Sequence, residues 1–257
     1  MSTKKVIEKI RVVSNTVTPP PTGPGPDSFN GKVGLVTGGS KGIGLAVGIN
    51  LAKRYTELDK QYKEGRLSSR IYLTTRFEED IPRLTEQLAA NHDEEVTKRI
   101  KFAQLDLLDK GSLFKLYQKI KDETITLDLV VNNAQKFELP SQNNEKRFKT
   151  QCKDIMAVNF EGMKRICKTF TPMLNAHGRI VLCSSHLGHL SNIDGTEPAA
   201  YKLRKRFADK NLKEAQLDIL VNEFLDDVKE GNGSWVQKGW PSCPYSVSKI
   251  AVNAYAR

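Results

Sequence analysis

Short apolar runs alternate with amphipathic stretches along most of the chain. Runs at 33–37, 71–75, 100–106, 127–132 and 179–184 have the length and aliphatic content of strands buried on both faces. Between them, 43–55, 113–120 and 148–174 repeat apolar residues at helical spacing. Strands separated by helices predict right-handed crossovers and an α/β fold whose parallel sheet is covered on both sides.

Two stretches interrupt this rhythm. The first, 56–70, is polar and is expected as a surface extension. The second, 186–239, is a long insert in which Leu217, Leu220, Val221, Phe224, Leu225 and Val228 follow i, i+3, i+4 spacing, so it predicts a packing helix. Residues 1–30 differ from the rest. Pro19-Pro-Pro-Thr-Gly-Pro-Gly-Pro26 supports neither helix nor sheet and reads as part of a disordered, Pro-rich extension. One domain is then expected over 31–257.

Composition narrows the class. A chain of 257 residues, 39% hydrophobic and 27% charged, fits one soluble α/β domain. No apolar run approaches the ~18 residues of a membrane span, so no membrane partner is expected. Cys152, Cys167, Cys183 and Cys243 lie far apart with no C-x-x-C, which suggests neither a disulfide framework nor zinc and favours a reduced, cytoplasmic setting. The four histidines show no ligand spacing, so no metal is expected. The net charge of +10 comes from scattered bases, with only short clusters such as Lys202-Leu-Arg-Lys-Arg206, and reads as a solvated basic surface rather than a nucleic-acid patch.

Two motifs carry chemistry. Gly38, Gly42 and Gly44 fall where the first strand turns into the first helix, a place where backbone N–H groups and the helix N-terminus favour a pyrophosphate. The spacing is T-G-x-x-x-G-x-G rather than the more familiar G-x-G-x-x-G. Far downstream, Tyr245-Ser-Val-Ser-Lys249 places a phenol and an ammonium about one helical turn apart, on one face.

From 32 to 257 the chain resembles the short-chain dehydrogenase/reductase family, and within it the carbonyl reductases. The resemblance rests on Leu35-Val-Thr-Gly-Gly-Ser-Lys-Gly-Ile-Gly44, Leu129-Val-Val-Asn-Asn-Ala134, Asn159-Phe160, Gly178-Arg-Ile-Val181 with Ser184-Ser185, and Gly239-Trp-Pro-Ser242 leading into Tyr245 and Lys249. It implies a doubly wound, Rossmann-like sheet and reduction of ketones, aldehydes or quinones by a nicotinamide cofactor. Gly38, Ser40, Lys41, Gly42, Ile43 and Gly44 would hold the cofactor's phosphates. Asp106 and Leu107 would border its adenine, and Asn133 and Ala134 its ribose. Thr74-Thr75-Arg76 carries no acid before Glu78, and Arg76 with Lys41 favours NADPH over NADH.

By the same resemblance Tyr245 is the general acid, with its pKa lowered by Lys249 and by the cofactor's charge. Ser185 would hold the substrate oxygen, and Asn159 would carry a water relay to Lys249. Residues 186–244 separate Ser185 from Tyr245, a far longer interval than most members have. Carbonyl reductases share such an insert over the surface that others use to oligomerise, so a monomer is expected. Two features depart from the pattern. Gln135 replaces the glycine that usually follows Asn-Asn-Ala, putting a side chain near the cofactor region. The family's last strands would lie beyond Arg257, so the last strands are expected to be missing, and a catalytically inactive homologue acting by binding is the competing expectation.

Overall fold

Aliphatic residues in the apolar runs pair into one sheet. The computed structural model describes residues 11–13, 31–60, 69–123, 126–140 and 144–257. Its strands are β1 (Arg11–Val13), β2 (Val33–Val36), β3 (Arg70–Thr75), β4 (Ile100–Gln104), β5 (Leu127–Asn132) and β6 (Leu174–Leu182). They lie in the order β1-β6-β5-β2-β3-β4. β2 pairs in parallel with β3 on one side and β5 on the other, and β3 pairs in parallel with β4. Leu35, Val36, Ile71, Leu73 and Val130 on these strands are fully buried. The fold is the doubly wound, Rossmann-like sheet that the alternating runs and the family resemblance imply.

Chain order reverses at β2. In open parallel sheets, ligands bind beyond the carboxyl ends of the strands flanking such a reversal. Here those ends carry the glycine turn after β2 and Asn133 after β5.

The chain divides into two compact units. One comprises Val12–Ala134 and Arg165–Val181. It holds most of the sheet with helices α1 (Gly42–Lys60), α2 (Ile81–Asn91), α3 (Glu94–Thr97) and α4 (Lys110–Glu123). The other includes Gln135–Lys164 and Leu182–Arg257. In it, α5 (Glu145–Met156) leads into a π turn, Ala157–Gly162; α6 (Met163–Phe170) follows and belongs to the first unit from Arg165 on. Further along lie α7 (Ala199–Ala208), α8 (Glu214–Glu230), α9 (Ser234–Gln237) and α10 (Pro244–Tyr255).

The insert helix expected from its apolar spacing is α8. Leu217, Leu220, Val221, Phe224 and Val228 are buried, and α8 packs on α5 and α10. Phe224 and Phe207 set their rings 5.4 and 6.1 Å from Trp240, whose indole N–H donates to Asp227 at 2.7 Å. Each fully buried side chain of this size contributes about 1.5–3 kcal/mol.

Several boundaries differ from expectation. α1 continues to Lys60, into the stretch expected as surface extension, because Asp59 in its last turn accepts from Arg99 at 3.1 Å and from the Ser69 hydroxyl at 2.6 Å. The helix expected over 148–174 stops at Phe170. Pro172 sits in a 3-10 turn, Thr171–Met173, and β6 starts at Leu174 rather than at 179. Helix α2 escaped the pattern because it buries only Leu84 and Leu88, too sparse a stripe to read. The N-terminal extension falls outside the described residues except for β1.

Candidate active site

β2 ends at Val36 and α1 begins at Gly42, so the glycine turn bridges strand and helix. Thr37 knits it to the end of β5: its hydroxyl oxygen accepts from the N–H groups of Asn133 at 3.0 Å and Ala134 at 2.9 Å. The Asn133 amide returns bonds to the carbonyls of Thr37 and Gly38, at 3.0 and 3.2 Å. On the other side the N–H of Gly38 donates to the Thr74 hydroxyl at 3.0 Å. A β-carbon on Gly44 would stand 2.2 Å from the Gly38 carbonyl oxygen, so the turn closes only with glycine there.

Gly42 has the opposite character. Its φ is +57°, and a β-carbon would meet nothing within 4 Å, so the turn has an open face. Helix α1 has no acid in its first turn, which leaves the partial positive charge of its N-terminus uncompensated. Lys41 and Ile43 are exposed around this face and Ser40 is partly so. An open, amide-rich, cationic turn fits the diphosphate of a dinucleotide.

Arg76 follows β3 directly. Its Nε donates to the Asp106 carboxylate at 3.0 Å, and its guanidinium lies 5.3 Å from the centre of the Phe77 ring. The other carboxylate oxygen of Asp106 accepts from the N–H of Leu108 at 2.9 Å. Leu107 is buried, and its carbonyl accepts from Arg165. The end of β3 thus presents a cation, with no acid to bind ribose hydroxyls before Glu78.

The second cluster sits on α10. Pro244 opens this helix, suited to a first turn by its fixed φ and missing N–H. Tyr245 and Lys249 are both buried, at 6% and 2% exposure. The Lys249 ammonium donates to the Cys183 carbonyl at 2.9 Å and lies 5.4 Å from the centre of the Tyr245 ring. Burial holds the Lys249 pKa down to about 8. Burial also pushes the Tyr245 phenol above its ordinary value, with the Ser185 hydroxyl acting against this and the Cys243 and Cys183 thiols adding to it. Desolvation of the phenolate is the largest influence on Tyr245 in this environment.

Asn159 makes contacts that its position in the sequence did not show. Its side-chain oxygen accepts from the N–H of Lys136 at 2.7 Å, while its NH2 donates to the Lys136 carbonyl at 2.9 Å and the Ser248 hydroxyl at 3.1 Å. Its amide thus anchors the backbone at Lys136 and ties it to Ser248 on α10. The π turn around Asn159 widens the helix at this point, as such turns often do at functional positions. Ser185 caps the 3-10 turn His186–Gly188, accepting from the N–H of Leu187 at 3.2 Å.

Three contributors were not legible as partners of the tyrosine. The Tyr245 hydroxyl donates to the Gln135 side-chain oxygen at 3.0 Å. The Phe137 ring meets the Tyr245 ring edge-on, with centroids 5.0 Å apart. Ser248 donates to the Tyr245 carbonyl at 2.7 Å and links it to Asn159. Only the unusual Gln after Asn-Asn-Ala hinted at the first of these.

Residues 32–222 match the family model described as short chain dehydrogenase. The chain is 30% identical over 231 residues to carbonyl reductase (NADPH) 1 of Sus scrofa, covering 90% of this chain and 71% of that protein. It is likewise 30% identical over 226 residues to carbonyl reductase (NADPH) 1 of Homo sapiens, covering 88% and 72%. Among solved structures, menthone neomenthol reductase from Mentha piperita superposes with a TM-score of 0.71 at 25% identity, over 87% of this chain and 83% of that one. No helix among the described residues is long and apolar enough to cross a membrane. The chain belongs to the short chain dehydrogenase family, oxidoreductases that bind a nicotinamide cofactor.

Proposed function

We propose that the chain reduces apolar carbonyl compounds with NADPH. The observation that carries this reading is Tyr245, a buried phenol that already donates its proton to a carbonyl oxygen, that of the Gln135 amide. A group set to donate to such an oxygen is placed to protonate a substrate oxygen as negative charge develops on it. When bound, the cofactor supplies the hydride.

The chain's own residues do the rest. Tyr245 gives the proton, and Ser185, which acts on the same hydroxyl, steadies the substrate oxygen. Lys249, one turn along, favours the resulting phenolate while it holds its proton. The open turn at Gly42 and the N-terminus of α1 would bind the diphosphate, and Lys41 and Arg76 would bind a 2′-phosphate. The relatives named for NADPH support this choice. Phe137 and Leu139, exposed beside the tyrosine segment, favour an apolar substrate.

The competing reading, a fold retained without turnover, draws on the Gln135 contact that occupies the proton donor. Oxidation of NADPH with menadione as acceptor decides between them. Turnover that Tyr245→Phe abolishes supports the reductase; no turnover in the wild-type chain sinks it.

A further inference from the structure

The Gln135 side chain is hydrogen-bonded to the phenol assigned as proton donor. Its amide oxygen lies 3.0 Å from the Tyr245 hydroxyl and accepts a hydrogen bond from it. An amide C=O has the same planar, lone-pair-bearing oxygen as a ketone or quinone, so Gln135 presents Tyr245 with the group it would protonate.

This contact is built rather than incidental. Gln135 begins a short strap, 135–139, held down at each step. Asn159 grips the backbone of Lys136 through both its N–H, at 2.7 Å, and its C=O, at 2.9 Å. The Lys136 ammonium pairs with Asp154 at 2.7 Å and with Glu138 at 3.1 Å. Gln151 on α5 donates to Glu138 at 3.0 Å and to the Leu139 carbonyl at 3.2 Å. Phe137 lays its ring edge-on to Tyr245, at an interplanar angle of 85°. The Asn159 amide thus holds this strap to the helix end before α6.

We infer that Gln135 is an internal stand-in for the substrate carbonyl, a specificity-determining residue that a substrate must displace from Tyr245 before it can be protonated. This rests on the reductase reading above. The strap stays anchored through Lys136 and Glu138 while only the Gln135 side chain swings away. The energy of the Gln135–Tyr245 bond is thereby set against every carbonyl compound, and those whose oxygen accepts weakly are left with the least net binding. Small or weakly accepting ketones are therefore discriminated against.

Two substitutions and two readouts test this. Gln135→Gly removes the stand-in, whereas Gln135→Leu removes the acceptor but still fills the space. Losing a net hydrogen bond of this kind corresponds to about a three- to tenfold change. Gln135→Gly is therefore expected to lower the KM for menadione by that factor, with kcat changed less than about twofold, and to lower it by a similar factor for a ketone. Gln135→Leu loses the same bond but still fills the space, so it is expected to lower KM by less. Independently of cofactor, the ultraviolet titration of Tyr245 is isolated by subtracting the Tyr245→Phe counterpart of each chain. It should fall by about half a pH unit or more in both variants, since each takes away the acceptor that favours the neutral phenol. A KM unchanged or raised in Gln135→Gly, or a Tyr245 titration unmoved in both variants, would overturn the proposal. If no chain turns over menadione, the reductase reading fails, and the titration alone then upholds or overturns the Gln135–Tyr245 contact.

Discussion

The Lys249 ammonium lies 5.4 Å from the centre of the Tyr245 ring, yet its hydrogen bond goes to the Cys183 carbonyl, 2.9 Å away. The lysine thus stays near the phenol as a buried charge without bonding to its oxygen. Such a placement leaves both groups strained by desolvation in opposite directions, the phenol raised and the ammonium lowered.

That burial makes stability depend on pH in a defined way. Burial holds the folded Lys249 down to about 8, against an ordinary value of 10.5. Below pH 8 both folded and unfolded chains hold the proton, and burying the ammonium costs the fold about 3 kcal/mol. Between the two values the unfolded chain holds more protons, so the contribution of Lys249 to stability rises with pH. The melting temperature of Lys249→Met relative to wild type should accordingly become steadily less favourable from pH 8 towards 10.5. A difference that stays constant with pH would contradict the buried-ammonium assignment.

Removing the proton donor should act on chemistry alone. Tyr245→Phe is expected to lower kcat by ~10²–10⁴-fold while leaving NADPH affinity unchanged, because the ring still packs but the hydroxyl is gone. Steady-state kinetics alongside equilibrium cofactor binding measures both. Near-normal turnover would show that another group is the acid.

Cofactor choice should sit with Arg76. Its guanidinium, released from Asp106, would give a charge-assisted bond to a 2′-phosphate worth ~1–3 kcal/mol. Arg76→Ala should weaken NADPH far more than NADH in a direct binding titration. Equal losses for the two cofactors would remove Arg76 from that role.

Asn159 should prove structural first. Asn159→Leu leaves the Lys136 N–H and C=O without their partner and frees the Ser248 hydroxyl. Each buried group left unpaired costs ~1–3 kcal/mol, so a stability loss of about 2–4 kcal/mol is expected in urea denaturation. Unchanged stability would mean that the strap is held without it.

The insert bears on assembly. The apolar face of α8 is already covered by α5 and α10, with Phe224 fully buried against Trp240. A monomer is expected in sedimentation, since that face is closed to a second copy. A stable dimer or tetramer would contradict it.

The amino-acid sequence by itself determined the parallel sheet, because buried strands such as Leu127–Asn132 must be aliphatic and the helices between them amphipathic. It also determined the glycine turn, where Gly44 leaves no room for a side chain, and the pairing of Tyr245 with Lys249, which follows from one helical turn. These are local constraints, written in residues close together along the chain. Only tertiary structure decided the partners of those residues. Gln135 and Tyr245 stand 110 positions apart, and Asn159 and Ser248 stand 89 apart, so no periodicity connects them. Burial of Tyr245 and Lys249 was equally invisible, since a pKa answers to the dielectric around a group and to what packs on it. Whether a side chain donates, anchors or blocks depends on which distant backbone the fold brings within hydrogen-bond reach.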